Sequence, residues 1–177
     1  MIETARLILR RFHDDDRDAF AAMNADPRVG EWLGGTIDKA ASDAMLDRIN
    51  AHIDEHGWGL WAAERKADAR LVGFIGLSTV KADALPVGRA IEMGWRLIPD
   101  AWGGGLATEG ARAALDWGFA HVDTREIIAF TAATNLKSQA VMTRIGMAAD
   151  PARDFDHPRL AQDHPLRRHV VYAAARP

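Results

Sequence analysis

The sequence predicts an α+β fold, in which helices pack on a mixed β-sheet. Strand-like and helical segments follow one another in the order strand, two helices, three strands, helix, strand, helix, strand. The polar turn at 65–70 separates two apolar strand-like segments directly, which predicts an antiparallel hairpin. A helical segment instead separates the strands predicted at 90–98 and 126–131, and such a crossover joins parallel strands. We therefore expect a sheet that contains both kinds of pairing.

The N-terminal part of the chain has the pattern of one strand and two helices. Residues 6–10 (RLILR) are typical of a short strand, and an amphipathic helix opened by three aspartates follows over 14–24. The segment 26–35 contains Pro and Gly and interrupts the helical pattern. Thr36 is the predicted N-cap of a second helix, which has apolar residues every four positions and ends before Gly57.

The rest of the chain alternates strands and helices. The helix predicted at 106–121 has a polar stripe on one side and apolar residues elsewhere, so we expect it to lie against the sheet. Gly146 ends the last helix. The predicted strands are 59–64, 71–80, 90–99, 126–131 and 169–174, and the predicted helices are 106–121 and 135–146.

The composition indicates an ordinary globular enzyme or binding protein. The 177 residues fit one domain, 1–177. A net charge of -3 gives no overall field that would attract nucleic acid, and no apolar run is long enough to span a membrane, so we expect neither partner. The chain has no cysteine, which excludes disulfides and thiolate ligands. The N-terminus lacks the pattern of a signal peptide, and we expect a cytoplasmic protein.

Three consecutive glycines, Gly103 to Gly105, separate the strand at 90–99 from the helix at 106–121. The first N–H groups of a helix have no intrahelical acceptor, and together with the helix dipole they attract anions such as phosphate. Glycine lets an anion approach the bare backbone, although a turn that needs glycine for its φ angle alone is the alternative. The residues after Gly105 do not match a P-loop, and the third glycine of a dinucleotide-binding motif is absent.

This stretch resembles the phosphate-binding motif of the GNAT acetyltransferases, and in particular of the branch similar to the ribosomal-protein acetyltransferases RimJ and RimL. The family motif is Pro-x-x-(Gln/Arg)-Gly-x-Gly-x-(Ala/Gly) between a strand and a helix. Pro99, Gly103, Gly105 and Ala107 match it, whereas Trp102 stands where the family often has Gln or Arg. The resemblance extends over nearly the whole chain, through segments in the family's order at 4–16, 107–109, 135–138, 145–147, 154–160 and 169–172.

The resemblance implies a fold and a co-substrate. The implied GNAT fold has a mixed, mostly antiparallel central sheet with helices on both faces and a splayed parallel strand pair. The implied co-substrate is acetyl-CoA, with its pantetheine arm along one strand, its pyrophosphate on the glycine-loop amides and the side chain of Asn135 on the pantetheine; Asn135 is an equally good helix N-cap. The implied cofactor-binding residues are Trp95, Arg96, Leu97, Trp102, Gly103, Gly104, Gly105, Leu106, Ala107, Thr108 and Asn135.

Glu92 is the candidate general base for acetyl transfer. Strand alternation places Glu92 and Arg96 on the face opposite Met93, and a carboxylate within a mostly apolar strand needs a reason. An amine must lose its proton before it attacks a thioester, so a base helps at neutral pH. An ion pair of Glu92 with Arg89 or Arg96 is the alternative, and positioning alone can also supply much of the rate.

Ser138 is the candidate donor to the thiolate leaving group. Many GNAT enzymes use a tyrosine seven residues after the asparagine, but this chain has Met142 there, and its single tyrosine is Tyr172. Ser138 matches the serine of the RimJ/RimL-like branch and shares a helix face with Asn135. A purely structural serine is the alternative.

The acceptor is expected to be a primary amine, either a protein N-terminus or a small molecule, and without a cysteine the transfer is expected to proceed by direct attack in a ternary complex. By resemblance, Trp32 and Trp58 border its pocket together with Glu92, and Trp61 lies nearby; core packing is the alternative for the tryptophans.

Two other readings remain. The stretch 52–56 (HIDEH) has the spacing of a zinc motif, but no third ligand is indicated, and we expect no metal. The alternative to an enzyme is a catalytically silent acyl-CoA-binding or interaction module of the same fold. Homodimerisation stays open.

Overall fold

The computed structural model describes all 177 residues. The strands are β1 (Ile2–Glu3), β2 (Leu7–Arg10), β3 (Leu60–Arg65), β4 (Arg70–Val80), β5 (Ala90–Leu97), β6 (Glu126–Ala132), β7 (Ala148–Ala149), β8 (Phe155–Asp156) and β9 (Arg168–Ala175). The helices are α1 (Arg17–Ala25), α2 (Pro27–Gly30), α3 (Lys39–His56), α4 (Leu106–His121) and α5 (Leu136–Arg144).

All nine strands form one sheet, in the order β1-β2-β3-β4-β5-β6-β9-β7, with β8 paired to β9. Every neighbouring pair is antiparallel except β5 and β6. The hairpin β3–β4 and the parallel crossover through α4 confirm the two pairings predicted from the sequence. The fold is the predicted α+β arrangement, a mostly antiparallel sheet with one parallel strand pair.

Helices cover both faces of the sheet. On one face α4 and α5 pack over the largest apolar cluster, which includes Leu115 and Met142. On the other face α1, α2 and α3 enclose a second cluster around Phe20 and Leu46. α4 lies close to the sheet because it presents glycine there: a Cβ at Gly110 or Gly118 would collide with side chains of β4.

The parallel pair β5–β6 is splayed. Only Glu92 and Ile128 are in register between the two strands, whereas β4 and β5 pair over eight residues, from Gly73–Leu97 to Val80–Ala90. The backbone of β5 beyond this single pair therefore borders an opening toward β6.

Some element boundaries differ from the sequence predictions. Asp38, rather than Thr36, caps α3, and its carboxylate accepts from the N–H of Ala41 at 2.8 Å. The segment 26–35, predicted as an interruption, contains the short helix α2, which Asp26 caps. The two-residue strands were not predicted, because so short a segment carries no periodicity. None of the helices has both the length and the hydrophobicity that a membrane crossing requires.

Candidate functional site

The glycine loop presents a row of free backbone donors. The N–H groups from Gly103 to Thr108 donate to no protein acceptor. Gly103 and Gly105 have φ angles of 76° and 79°, a left-handed conformation that favours glycine, and a Cβ on Gly103 or Gly104 would have no neighbour within 4 Å. Gly105 stands at the N-cap of α4 and offers no side chain to cap it. The helix thus starts with its donors open to a ligand.

The N-terminal segment of the chain holds this loop in place. Glu109, in the first turn of α4, accepts from the hydroxyl of Thr4 at 2.6 Å and from Nε of Arg6 at 2.6 Å. Arg6 Nη1 in turn donates to the carbonyl of Gly104 at 2.8 Å. The loop therefore keeps its shape through contacts that leave its N–H groups unused.

Trp102 anchors the entrance to the loop. Its indole Nε1 donates to the carbonyl of Leu97 at 2.8 Å, and its backbone N–H donates to Pro99. The ammonium of Lys137 lies 5.2 Å from the centre of the indole ring, within cation–π range. The backbone N–H and the indole N–H of Trp102 are thus both engaged, unlike the amides from Gly103 onward, so a ligand could contact this residue only through its ring surface.

Strand β5 has two chemically different faces, as predicted. Met93 and Leu97 are buried in the cluster under α4. Glu92 and Arg96 lie on the opposite face, toward α1 and α3. The backbone of Trp95, Arg96 and Leu97 lies beyond the last residue paired to β6, at the splay.

Glu92 is a carboxyl group without a cationic partner. It accepts a hydrogen bond from Ser78 Oγ at 3.2 Å and forms no ion pair, so the predicted alternative of a pair with Arg89 or Arg96 is wrong. Burial raises the pKa of Glu92 to about 7, and the hydrogen bond from Ser78 offsets part of the rise. A carboxyl with this pKa exchanges a proton near neutral pH, which suits a general base.

A cavity of about 650 Å³ opens beside Glu92, on the α3 side of the sheet. Glu92 is not itself part of the lining, but Ser78, whose hydroxyl donates to the Glu92 carboxyl, is. About half of the lining is apolar, from α3, β3, β4 and the loop before α3. The charged residues of the lining are Arg48, Arg96 and Arg159, and no Asp or Glu is among them.

Arg96 is held in a buried polar network. Its Nη1 donates to Asn24 Oδ1 at 2.5 Å, and Asn24 Nδ2 donates to the hydroxyl of Ser42 at 2.9 Å. The guanidinium carbon lies 5.3 Å from the ring centre of Phe74, and Nε is buried without an acceptor. Burial lowers the pKa of Arg96 to about 10, which keeps it cationic at neutral pH.

α5 carries the predicted Asn135 and Ser138. Asn135 caps the helix, because its Oδ1 accepts from the N–H of Ser138 at 3.2 Å, while its Nδ2 donates to no protein atom. The Ser138 hydroxyl has no protein partner either. Met142 is 1% exposed in the core, and Tyr172 OH donates to Gln139 Oε1 at 3.4 Å. The capping use and the contact with a ligand are therefore compatible for Asn135.

Of the three tryptophans predicted near the acceptor pocket, one lies in the core and two lie outside the cavity wall. Trp61 is buried and packs edge-on against Trp117, so core packing explains it. Trp58 packs with His52 and His56, and neither Trp58 nor Trp32 lines the cavity. Nowhere in the chain do three or more His, Cys, Asp or Glu side chains form a group that could hold a metal ion.

Sequence reasoning missed most of the cavity wall. Ser78, Asn24, Arg48 and Arg159 come from four separate segments, and no local pattern connects them. The sequence of β4 did offer one signal, since Ser78 is a polar residue after an apolar run and its strand pairs with the strand of Glu92.

A family model described as "Acetyltransferase (GNAT) domain" matches residues 6–148. The chain belongs to the GNAT acetyltransferase family. It is accordingly an N-acetyltransferase by family and fold, and members of this family use acetyl-CoA.

Relatives and solved structures agree with this assignment. The chain is 28% identical over 150 residues to the uncharacterised N-acetyltransferase YoaA of Bacillus subtilis, covering 82% of this chain and 81% of YoaA. A GNAT acetyltransferase structure from Bacillus anthracis superposes with a TM-score of 0.80 at 22% identity, covering 99% of this chain and 98% of that one.

Two of the similar structures contain CoA or a derivative of it. Spermidine N-acetyltransferase from Vibrio cholerae, in complex with CoA and spermine, has a TM-score of 0.73 at 17% identity and covers 96% and 95% of the two chains. RimJ from Mycobacterium smegmatis, in complex with CoA-disulfide, has a TM-score of 0.74 at 21% identity and covers 96% and 81%. At these identities the likeness establishes the fold.

Proposed function

We propose that this protein transfers the acetyl group of acetyl-CoA to a primary amine, by direct attack of the amine on the thioester in a ternary complex. The observation that carries the proposal is the row of unpaired N–H groups from Gly103 to Thr108, at the start of a helix of 16 residues beside the splayed strands. Backbone donors in this position suit a diphosphate. No cysteine is present to form an acyl-enzyme.

The glycine loop and β5 bind the co-substrate. The N–H groups of Gly103 to Thr108 donate to the pyrophosphate. The edge of β5 at Trp95 to Leu97, which is not paired to β6, lies along the pantetheine arm. Asn135 Nδ2 donates to the same arm while its Oδ1 caps α5. The thioester then lies in the splay, close to Glu92.

Glu92 and Ser138 carry the proton transfers. Glu92 takes a proton from the amine, directly or through water, as the amine nitrogen bonds to the thioester carbon. The carbon–sulfur bond breaks, and the Ser138 hydroxyl donates a hydrogen bond to the leaving thiolate, which then takes up a proton. The raised pKa of Glu92 makes it a better acceptor at neutral pH than an ordinary carboxylate.

The acceptor is a protein N-terminus or a small amine. The resemblance to RimJ and RimL supports the first, and the fold shared with a spermidine acetyltransferase supports the second. Trp32 and Trp58 are proposed to lie at the edge of the acceptor site rather than in the cavity wall.

A catalytically silent acyl-CoA-binding module is the second candidate. The buried Met142, at the position of the tyrosine that many GNAT enzymes use, favours it. Calorimetry with acetyl-CoA, followed by thiol release with a panel of amines, separates the two. Binding with release supports the transferase, binding without release for every amine supports the silent module, and absence of binding overturns both.

A further inference from the structure

The cavity beside Glu92 has a charge opposite to that of the whole protein. The chain has a net charge of -3, yet the charged residues of the cavity wall are three arginines. Arg10, Arg11 and Arg153 pair with carboxylates elsewhere in the chain, whereas other arginines, such as Arg125, do not. The cavity is distinguished by having three arginines in one wall with no Asp or Glu among them. Arg48, Arg96 and Arg159 have no carboxylate within 4.0 Å.

Arg96, the half-buried member of this set, is the most informative. Arg96 is fixed by Asn24 and by the ring of Phe74, both neutral, and its Nε is left without an acceptor. Leaving a buried cation without a counter-ion costs free energy, which an anionic ligand would recover. Guanidinium is also the side chain best suited to bind a carboxylate, because its planar donors match the two oxygens.

The remaining cavity wall fixes the size and orientation of the ligand. A volume of about 650 Å³ with a half-apolar lining is that of a small-molecule site. Glu92 and Arg96 are four residues apart on one face of β5, which places their Cα atoms about 13 Å apart. A cavity ligand whose amine lies at Ser78, next to Glu92, would have its opposite end toward Arg96.

We propose that the acetyl acceptor is a small amine that carries a carboxylate at its other end, bound by Arg48, Arg96 and Arg159. This proposal rests on the acetyl transfer proposed above and narrows its acceptor. A polyamine would place a second cation against three arginines, so this cavity disfavours such an acceptor.

Three matched series of amines test the proposal: ω-amino carboxylates, n-alkylamines and α,ω-diamines, each from two to eight carbons. They keep the reacting amine and change the far end from anionic to neutral to cationic. We expect the best carboxylate to exceed the alkylamine of equal length about tenfold or more in kcat/KM, and to exceed the diamine further. Equal or better use of the diamines or alkylamines at every length overturns the proposal.

A double variant, Arg48→Gln with Arg159→Gln, shows whether the arginines cause the preference. Both side chains are exposed, so the substitutions spare the buried network of Arg96. We expect kcat/KM for the best carboxylate to fall about tenfold or more, and that for the alkylamine to change less than about twofold. Arg125→Gln, at an exposed arginine outside the cavity, is the matched control and should change neither value. A preference that survives unchanged in the double variant overturns the proposal.

A binding measurement with the amines distinguishes failure of this proposal from failure of the proposed transferase function. Calorimetry with the CoA-saturated protein measures the affinity of the same compounds without any reaction. If an ω-amino carboxylate binds more tightly than its alkylamine, and the double variant loses this difference, the arginine site for an anionic acceptor is supported even where no amine is acetylated. Binding of no carboxylate more tightly than its alkylamine overturns the site, whatever the outcome of the thiol-release assay.

Discussion

The hydroxyl of Ser78 donates to Oε2 of Glu92 at 3.2 Å across the β4–β5 ladder. It is the only side-chain hydrogen bond to this carboxyl group, which is partly buried and meets no cation. Burial pushes the pKa of Glu92 up to about 7, and Ser78 pulls it down, so the two residues together set where the group ionises.

Glu92→Gln should lower turnover by about 100-fold at pH 7, because general-base assistance is typically worth 10²–10⁴ in rate. The wild-type rate should rise with pH through about 7 as the carboxyl group deprotonates. In the variant this rise near pH 7 should disappear, and a rise at higher pH, where more of the amine is already neutral, should replace it. The defect should therefore be largest just above pH 7 and shrink as the pH approaches the pKa of the amine. The measurement is kcat against pH, with Asp116→Asn, an exposed carboxylate on α4, as the control. A variant whose profile matches wild type shows that Glu92 is not the base.

Ser78→Ala should move the rising limb of the pH–rate profile upward. The substitution removes the hydrogen bond that lowers the pKa of Glu92, while burial, which raises the pKa, remains. A higher apparent pKa, with the rate restored above it, is the expected result. Ser78→Thr keeps a hydroxyl and should leave the midpoint near that of wild type. If the alanine variant loses activity equally at all pH values, Ser78 acts on the acceptor and not on the pKa.

Glu92→Gln should also stabilise the fold, but only above the pKa of an ordinary glutamate. The folded-state pKa is about 7 and the ordinary value 4.5, so the folded protein holds this proton between the two while the unfolded chain releases it. The wild type therefore loses stability as pH rises from 4.5 to 7. We expect the variant to unfold at a Tm at least about 2 °C higher at pH 8, with the difference closing below pH 4.5. A constant difference in Tm across this range would contradict the assignment.

The two faces of β5 could be read from the sequence, whereas the cavity could not. Met93 and Leu97 lie on the face of β5 that packs under α4, and Glu92 and Arg96 lie on the other face. The alternation of apolar and polar residues along the strand predicts these two faces directly. The contact of Arg96 with Asn24 joins residues 72 positions apart and leaves no periodic trace. The cavity wall depends on how α1 and α3 cross the sheet, which tertiary packing decides.

The exact first residue of a helix could not be predicted from the sequence either. Thr36 and Asp38 are both good N-cap residues, and the sequence alone does not rank them. In the structure Ile37 forms part of the cavity wall, and α3 begins only after Asp38. The glycine loop was easier to predict, because three consecutive glycines at the start of an amphipathic helix have few structural uses.

Gly105→Val should abolish CoA binding while the protein stays folded. Gly105 has a φ of 79°, so a β-branched residue there would force the loop out of the conformation that aligns its N–H groups. The strain would also cost some stability, so the control is Gly146→Val, at an exposed glycine with a φ of 94° and no atom within 4 Å of its Cβ. We expect a loss of CoA affinity of at least about tenfold in the first variant only, measured by calorimetry. Unchanged affinity for Gly105→Val would remove the proposed phosphate site.

Ser138→Ala should slow acetyl transfer by about two- to tenfold and leave CoA affinity and stability nearly unchanged. The Ser138 hydroxyl has no protein partner, so its loss breaks no contact within the fold. A thiolate is already a good leaving group, so one hydrogen bond to it adds only a modest acceleration. The single-turnover rate with saturating amine reports this step. Thr143→Ala, which removes the hydroxyl that donates to Gln139 on the same helix, controls for effects on α5 itself. An equal loss in both variants, or none in Ser138→Ala, would assign Ser138 to the helix and leave protonation of the thiolate to solvent.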